Sequence, residues 1–306
     1  MMKITKKIIL GIVVFSLLLS IGCSNNENNL GEKDINDQNG IEKELEIIGG
    51  DIVKYDICLD EYTKLGFPII SNKKINSLEI ESFDFENIDG ANVLKSDEYT
   101  VDLDNYMEYK DYYIYTLILV YDYDKENKDP IAFSMNNIKL KINNELIDYK
   151  LNDVNITNRA YYVKKNNCEF EEGSIKYSGN FIGVRGQCPN LSNEELATSG
   201  FKPECSGVEI LEFELLNYVT ISGFKVDGKT TNPKSINREL IKDEYIGFEY
   251  EVNYKNGVDD TNIVRTSQIL KYKENGKNRV FILTSGMYIY PSFNEKGCVK
   301  KYIDKL

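Results

Sequence analysis

Apolar and polar residues alternate with a period of two along much of this chain. Over residues 138–142, isoleucine and leucine alternate with lysine, which is typical of a strand with one buried and one solvated face. Over residues 113–121, apolar side chains occur at both parities, which indicates a central strand buried on both faces. The pairs Asn-Asn at 143–144 and Asn-Gly at 275–276 tolerate the positive φ that two-residue hairpins need. The pattern predicts an all-β fold.

The strand pattern recurs after about 130 residues, which is the signature of an internal repeat. Gly-Phe-Pro at 66–68 corresponds to Gly-Phe-Lys-Pro at 200–203, and the apolar run at 112–123 corresponds to the run at 245–254. Each run is followed by a polar loop, a strand, a tight turn and a further strand. This shared order predicts a tandem duplication. The alternative is that two unrelated β-rich halves look alike.

Strands at short intervals with such turns favour β-sandwiches, and we expect two tandem domains, residues 46–155 and 156–306. The block 112–149 resembles part of the telokin-like, immunoglobulin-like domains of Gram-positive lipoproteins, in which a long strand, a polar loop, a strand and a hairpin follow in this order. The resemblance implies an extracellular immunoglobulin-like sandwich and carries no catalytic residues across. A short helix is also predicted in the second domain, because a capping box at 192–195 precedes an apolar pair and Gly200 follows it.

The first residues of the chain predict export. They are basic, and the apolar run over residues 8–21 would span roughly 21 Å as a helix at 1.5 Å per residue. That length is short of the roughly 30 Å hydrocarbon core of a bilayer, so the run indicates a signal peptide, residues 1–22, rather than a permanent span.

The sequence Leu-Ser-Ile-Gly-Cys at 19–23 resembles the lipobox of bacterial lipoproteins, although Ser20 stands where leucine is commoner. The resemblance implies cleavage between Gly22 and Cys23 and a diacylglycerol on Cys23. The alternative is an ordinary secretory signal with an incidental cysteine. The acidic, Asn-rich segment 23–45 has little apolar surface to bury and is predicted to be a flexible tether. With two acyl chains, the protein would stay anchored to the membrane.

Composition excludes several functions. The formal net charge is −12, and an acidic protein repels phosphate backbones, so nucleic-acid binding is not expected. The chain has no histidine, which excludes Ser-His-Asp and Cys-His catalysis and imidazole metal sites. No cofactor is expected. The heavy use of Asn, Lys, Ile and Tyr resembles the proteins of low-GC Gram-positive bacteria.

The chain has six cysteines, so five would remain if Cys23 carried the lipid. An odd number leaves at least one free thiol or an intermolecular bond. Cys168, Cys188 and Cys205 lie within one Gly-rich stretch, which favours a local disulfide among them without deciding the pairing. Their spacings match no zinc pattern.

Three further features of the sequence could form sites. The acidic loop 122–129 offers oxygen ligands for Ca²⁺, but it fails the EF-hand pattern and a solvated loop is favoured. Asp102, Asp104 and Glu108 could supply paired carboxylates to a glycoside hydrolase, but acids on the wet face of a strand are the simpler interpretation. The tyrosines between 106 and 123 could form a platform for sugar or peptide, although cross-strand packing is favoured.

Together these features predict a non-enzymatic binding protein of the cell envelope. It would be held on the extracytoplasmic face of the cell membrane and would recognise an envelope protein or glycan by shape and hydrogen bonding, with strand addition at an exposed sheet edge as one means. Two alternatives stay open at this point: a wall-active hydrolase that uses paired carboxylates, and a solute-binding lipoprotein of a transporter.

Overall fold

The computed structural model describes residues 44–59, 62–93, 99–122, 128–170, 173–177, 196–255, 257–259, 261–289 and 298–306. The signal peptide, the lipidation site at Gly22 and Cys23, most of the tether and Cys188 therefore lie outside the described residues. So does most of the acidic loop. Within the described ranges, no helix is both long enough and apolar enough to cross a membrane.

Strands make up most of the described chain, and a short 3-10 turn (Gly50–Ile52) and two short helices complete it. The elements of the first half are β1 (Ile47–Ile48), β2 (Val53–Cys58), β3 (Tyr62–Ser71), β4 (Leu78–Asn87), β5 (Tyr99–Tyr109), β6 (Tyr112–Asp122), β7 (Ala132–Ile142), β8 (Glu145–Lys150), β9 (Asp153–Thr157) and α1 (Arg159–Lys165). Those of the second half are β10 (Ile175–Tyr177), β11 (Leu196–Pro203), β12 (Val208–Leu215), β13 (Val219–Val226), β14 (Lys229–Thr230), β15 (Arg238–Leu240), β16 (Ile246–Tyr254), β17 (Ile263–Glu274), β18 (Lys277–Ile289) and α2 (Cys298–Lys305). The predicted all-β class is confirmed.

The hairpins have the turn chemistry that the sequence predicts. Asn143 and Asn144 join β7 to β8 with φ of 50° and 70°, and Asn275 and Gly276 join β17 to β18 with φ of 51° and 78°. Two successive positive φ values match the right-handed twist of the flanking strands. Along β7 the isoleucines and leucine of residues 138–142 are buried, as the alternation predicted.

The strands form three sheets. A four-stranded sheet has the order β1-β3-β6-β5, and a five-stranded sheet has the order β10-β11-β16-β13-β14. The third sheet follows the path β15-β12-β17-β2-β9-β7-β4, with β18 paired to β17 and β8 paired to β7. The two smaller sheets have the same strand order. The strands β1, β3, β6 and β5 of one sheet correspond, in that order, to β10, β11, β16 and β13 of the other.

The duplicated strand order is confirmed in detail by the strand pairings. A bulge interrupts the pairing of β4 with β7 between Ile80 and Ser82, and one interrupts the pairing of β12 with β17 between Ile210 and Glu212. The two bulges are about 130 residues apart, at the period of the sequence repeat. β5 and β13, the corresponding strands on the other sheets, are each bulged against their central partner as well.

The two halves join in the largest sheet. There β2 lies between β17 of the second half and β9 of the first half, parallel to both. Residues Glu44–Leu306 form one compact unit, and the predicted boundary between residues 155 and 156 lies within β9. The division into two immunoglobulin-like sandwiches stays a prediction.

Each helix contacts the half to which it does not belong, and α1 also packs on Cys58 and Ala132 of its own half. Tyr161 and Tyr162 of α1 cluster with Ile269 of β17 and Val280 of β18. In the reverse direction, Val299 and Ile303 of α2 enter the hydrophobic core of the first half. These helix contacts, together with the inserted strand β2, couple the two halves through buried surface.

The helix predicted around Gly200 is wrong within the described residues. Residues Leu196–Pro203 form β11, which pairs antiparallel with β16 from Leu196 opposite Glu251 to Phe201 opposite Ile246. The pairing with a central strand outweighs a local capping signal. At Gly200, the outer end of the Tyr245 ring occupies the space that a Cβ would take, so a larger residue there would displace this exposed tyrosine.

Candidate functional site

The central strand β2 has one apolar and one polar face. Tyr55 and Ile57 enter the hydrophobic core of the first half, so Asp56 lies on the opposite face because side chains alternate along a strand. In register with Asp56 are Thr266 of β17 and Asn155 of β9. A carboxyl group therefore lies at the line where the two halves meet.

The turn between β12 and β13, residues 216–218, covers this polar face, and we call it the turn clamp. The Leu216 N–H donates to the carbonyl of Ser267 (3.2 Å), and the Thr266 hydroxyl donates to the carbonyl of Leu216 (2.9 Å). The Asn217 N–H donates to Asp56 Oδ2 (3.2 Å). A turn of the second half is thus bound to a strand of the first.

Tyr218 completes the turn clamp in a left-handed backbone conformation, with φ of 63°. Its hydroxyl donates to the carbonyl oxygen of Asp153 (3.2 Å) and accepts from Asn155 Nδ2 (3.2 Å), both on β9. The Asp153 carboxylate pairs with Lys54 of β2. The clamp therefore contacts both first-half strands, β2 and β9.

Asp56 is only 5% exposed. Burial raises its pKa from 3.8 to about 6, because a low-dielectric surrounding penalises the charged form. Hydrogen bonds from Asn217 and the positive charges of Lys165 and Lys255 act in the opposite direction without cancelling that penalty. The carboxyl group therefore changes its charge close to neutral pH.

Three tyrosines surround Asp56, and each has a raised pKa. Burial is the main cause for Tyr162 and Tyr218, and the charge of Asp56 adds to it. Burial likewise raises the pKa of Tyr161 to about 12, helped by the bond that its hydroxyl donates to Asp89 Oδ2 (2.6 Å). These phenols stay neutral at the pH at which Asp56 ionises.

A second buried carboxyl group lies in the second half, at the end of β17. Glu274 pairs with Arg279 Nε (2.9 Å), accepts the Ser174 N–H (2.9 Å) and accepts from Cys205 Sγ (3.2 Å). Burial works to raise the pKa of Glu274, but these hydrogen bonds and the guanidinium hold it below the ordinary value. This group therefore stays ionised near neutral pH and has the character of a structural ion pair.

The carboxylates and tyrosines that the sequence suggested as site residues lie on other strands than Asp56 and Glu274. Asp102 and Glu108 are exposed on β5, on either side of its bulge, and the side chain of Asp104 lies outside the described part. Of the clustered tyrosines, Tyr115 and Tyr121 are buried in the core. Tyr109, Tyr112 and Tyr113 are partly buried against it, as the packing interpretation predicted.

The predicted disulfide stays a prediction. Cys168 and Cys205 are free thiols of intermediate exposure, and Cys188, the third candidate, lies outside the described residues. Across the described ranges, no three cysteine or acidic side chains come together in a group that could hold a metal ion.

Several strands have an edge to which no described strand pairs along most of its length, and β4, β5 and β13 are among them. β4 carries acids on its exposed positions (Glu79, Glu81, Asp84 and Glu86), and β5 carries Asp102 and Glu108. Residues 219–223 of β13 read Val-Thr-Ile-Ser-Gly and carry no charge, and β14 pairs only with Lys225 and Val226. Charges on an edge strand discourage added strands, so the edge of β13 is less protected than the edges of β4 and β5.

Compared with known protein families and with curated proteins, this sequence matches none. The candidate features thus rest on the geometry alone. Sequence reasoning missed Asp56, although the run Val-Lys-Tyr-Asp-Ile-Cys holds one acid inside an apolar strand, and such an acid is a signal of a buried carboxyl group. It also missed the N-cap of α1, where Asn158 Oδ1 accepts the Tyr161 N–H (2.9 Å).

Proposed function

We propose that this chain is a lipid-anchored protein of the bacterial cell envelope that binds an extended segment of another envelope protein. Cys23 would carry the lipid after cleavage at Gly22, and the segment 23–45 would tether the β-structured body to the extracytoplasmic face of the membrane. The recognition would be non-enzymatic and would need no cofactor.

The neutral edge of β13 is the observation that supports binding by strand addition. An edge strand presents unpaired N–H and C=O groups, and an extended peptide can complete the ladder with its own backbone. Residues 219–221 are β-branched, which suits a pleated surface, and the edges of β4 and β5 bear carboxylates instead. A glycan has no amide ladder, so an extended protein segment fits this edge better.

Metabolic labelling with a fatty acid tests the anchor. The wild-type protein is expected to incorporate label and to enter the detergent phase of a detergent partition, and a Cys23→Ser variant is expected to do neither. Cys58→Ser serves as a control, because Cys58 is buried and should not affect labelling. Labelled Cys23→Ser protein would exclude the anchor proposed here.

A matched pair of edge variants tests the binding surface. Soluble protein that starts at Ser24 is used to capture partners from envelope extract, and Thr220→Pro on β13 is compared with Thr100→Pro on β5; both threonines are exposed. A proline disrupts the backbone of the strand in which it lies, so Thr220→Pro should distort the β13 edge and lose the specifically captured protein, while Thr100→Pro should retain it.

If Thr220→Pro impairs folding, as circular dichroism would reveal, Thr220→Lys replaces it, since a lysine also blocks an edge. Equal capture by the wild type and both β13 variants would exclude this edge as the binding surface.

A further inference from the structure

The turn clamp is a polar joint between the two halves, and its central group is a buried carboxyl. Among the described residues, Asn217 supplies the hydrogen bonds to Asp56, whereas a carboxylate can accept about four. The remaining contacts of the clamp, from Leu216, Thr266 and Tyr218, are bonds between neutral groups. Asp56 is therefore the group of the turn clamp, as far as the chain is described, that is positioned to change charge near neutral pH.

We propose that Asp56 is a proton-dependent switch of the joint between the two halves: the turn clamp is closed when its carboxyl is neutral and opens more often when it is ionised. The switch needs neither a ligand nor a membrane. Its failure would therefore leave the proposed binding role untouched.

The direction of the switch follows from linkage. In the closed state the pKa of Asp56 is about 6, and in an open state that admits water it should return towards its ordinary value of 3.8. The closed state then binds the proton more tightly, so closure is favoured at low pH and loses that advantage as pH rises through about 6. The difference between the two pKa values corresponds to an opening equilibrium that rises about 50-fold between pH 4 and pH 7.

The groups that face Asp56 do not supply this change. α1 contributes Tyr161, Tyr162 and Lys165, the clamp contributes Tyr218, and Lys255 follows β16. The tyrosines have raised pKa values, so they stay neutral over this range. On the polar face of β2 and β9, Lys54 and Asp153 neutralise each other as an ion pair.

Amide hydrogen exchange of the wild-type protein between pH 4.5 and pH 8 measures the opening directly. After correction for the intrinsic pH dependence of exchange, amides of residues 216–218 should lose protection as pH rises, with a midpoint near pH 6. Amides at the centre of β17, in the same sheet, should keep theirs. Asp56→Asn has no titratable group here and should give constant protection of the clamp across the range.

Asp102→Asn, which removes an exposed carboxylate on β5, is the matched control and should retain the wild-type pH dependence. A clamp that responds to pH equally in the wild type and in Asp56→Asn would overturn the proposal. If Asp56→Asn does not fold, the ¹⁵N shift of the Asn217 amide in the wild type decides instead. A titration midpoint near 6 supports the switch, and a midpoint near 4 or a flat response excludes it.

Discussion

Asp56 and Glu274 are equally shielded from solvent, each 5% exposed, and yet their pKa values are shifted in opposite directions. Burial penalises the charge of both groups, and the penalty is larger for Asp56, which lies deeper in the protein. Glu274 receives a guanidinium, a backbone N–H and a thiol, whereas Asp56 receives hydrogen bonds from Asn217 alone among the described residues, with two lysines acting from farther away.

The difference teaches that low solvent exposure alone does not decide the charge of a carboxyl group: the depth of burial and the hydrogen-bond partners decide it together. A carboxylate that is hydrated, or that has a full set of hydrogen-bond donors, is ionised at neutral pH. A buried carboxyl group with few hydrogen-bond donors keeps its proton to a higher pH, so its charge can change near neutral pH. Each half of the repeated fold contains one of these two kinds of carboxyl group. The substitutions below should distinguish their roles.

Removal of the Arg279 guanidinium should cause the largest loss of stability among these substitutions. Arg279→Met leaves Glu274 buried without its charged partner, and the loss of one partner of a buried pair costs about 3–5 kcal/mol. Denaturant unfolding at pH 7 measures the change. The exposed pair of Arg238 with Glu244 (2.7 Å) provides the control, and Arg238→Met should destabilise the protein far less. Equal losses of stability in the two variants would show that the buried pair of Arg279 with Glu274 stabilises the protein no more than an exposed pair does.

The two carboxyl groups should next give opposite slopes of stability against pH. The raised pKa of Asp56 contributes stability that is present below 3.8 and is lost as pH rises through about 6, which amounts to about 3 kcal/mol. Asp56→Asn should therefore gain stability relative to the wild type by about that amount between pH 4 and pH 7. The lowered pKa of Glu274 contributes stability that is present above 4.5 and is lost as pH falls through its folded value.

Glu274→Gln should consequently lose stability relative to the wild type at pH 7 and approach it as the solution is acidified. Thermal unfolding of both variants and the wild type at pH 4, 5, 6 and 7 gives the two slopes. Slopes of the same sign would contradict the assignment of opposite shifts.

The sequence was informative where a local rule decides the structure. Hairpins at Asn143 and Asn275 follow from turn chemistry, and the buried positions of β7 follow from alternation. The repeat of strands was visible because both halves have the same order of runs. In contrast, nothing local shows that β2 inserts between β9 and β17, since that pairing joins residues about 100 and 200 positions apart.

The partners of both carboxyl groups depend on such long-range pairing, and so these partners could not be found from the sequence, although the lone acid in the β2 run was a signal for Asp56 itself. Asn217 reaches Asp56 only because the β12–β13 turn lies on the inserted strand, and Ser174 reaches Glu274 across a similar separation. The failed helix prediction has the same cause, because Leu196 and its neighbours pair with β16. Local signals were correct for turns and faces, and tertiary pairing decided the sites.

A smaller effect is expected when one donor to Glu274 is removed. Ser174→Ala keeps the backbone N–H but loses the hydroxyl, which lies 3.0 Å from Cys205 Sγ and also bonds the carboxylate. The free energy of unfolding should fall by about 1 kcal/mol at pH 7, and the pKa of Glu274 should rise. Ser222→Ala is the control, since Ser222 donates to Glu251 (3.1 Å), outside this cluster. A carboxyl resonance of Glu274 that titrates identically in the wild type and Ser174→Ala would argue against this role.

The smallest effect should come from a charge near Asp56 that does not bond to it. Lys165 lowers the pKa of Asp56 through space, and its ammonium group lies 3.4 Å from the Tyr161 hydroxyl at the exposed end of α1. Lys165→Met should therefore move the midpoint of the Asn217 amide titration upwards by roughly a few tenths of a pH unit, since solvent and salt screen an exposed charge. Lys164→Met removes the neighbouring charge of the same helix and should leave the midpoint closer to that of the wild type. Added salt should shrink the difference between the two variants, and a downward shift in Lys165→Met would mean that the lysine acts on Asp56 by some route other than its charge.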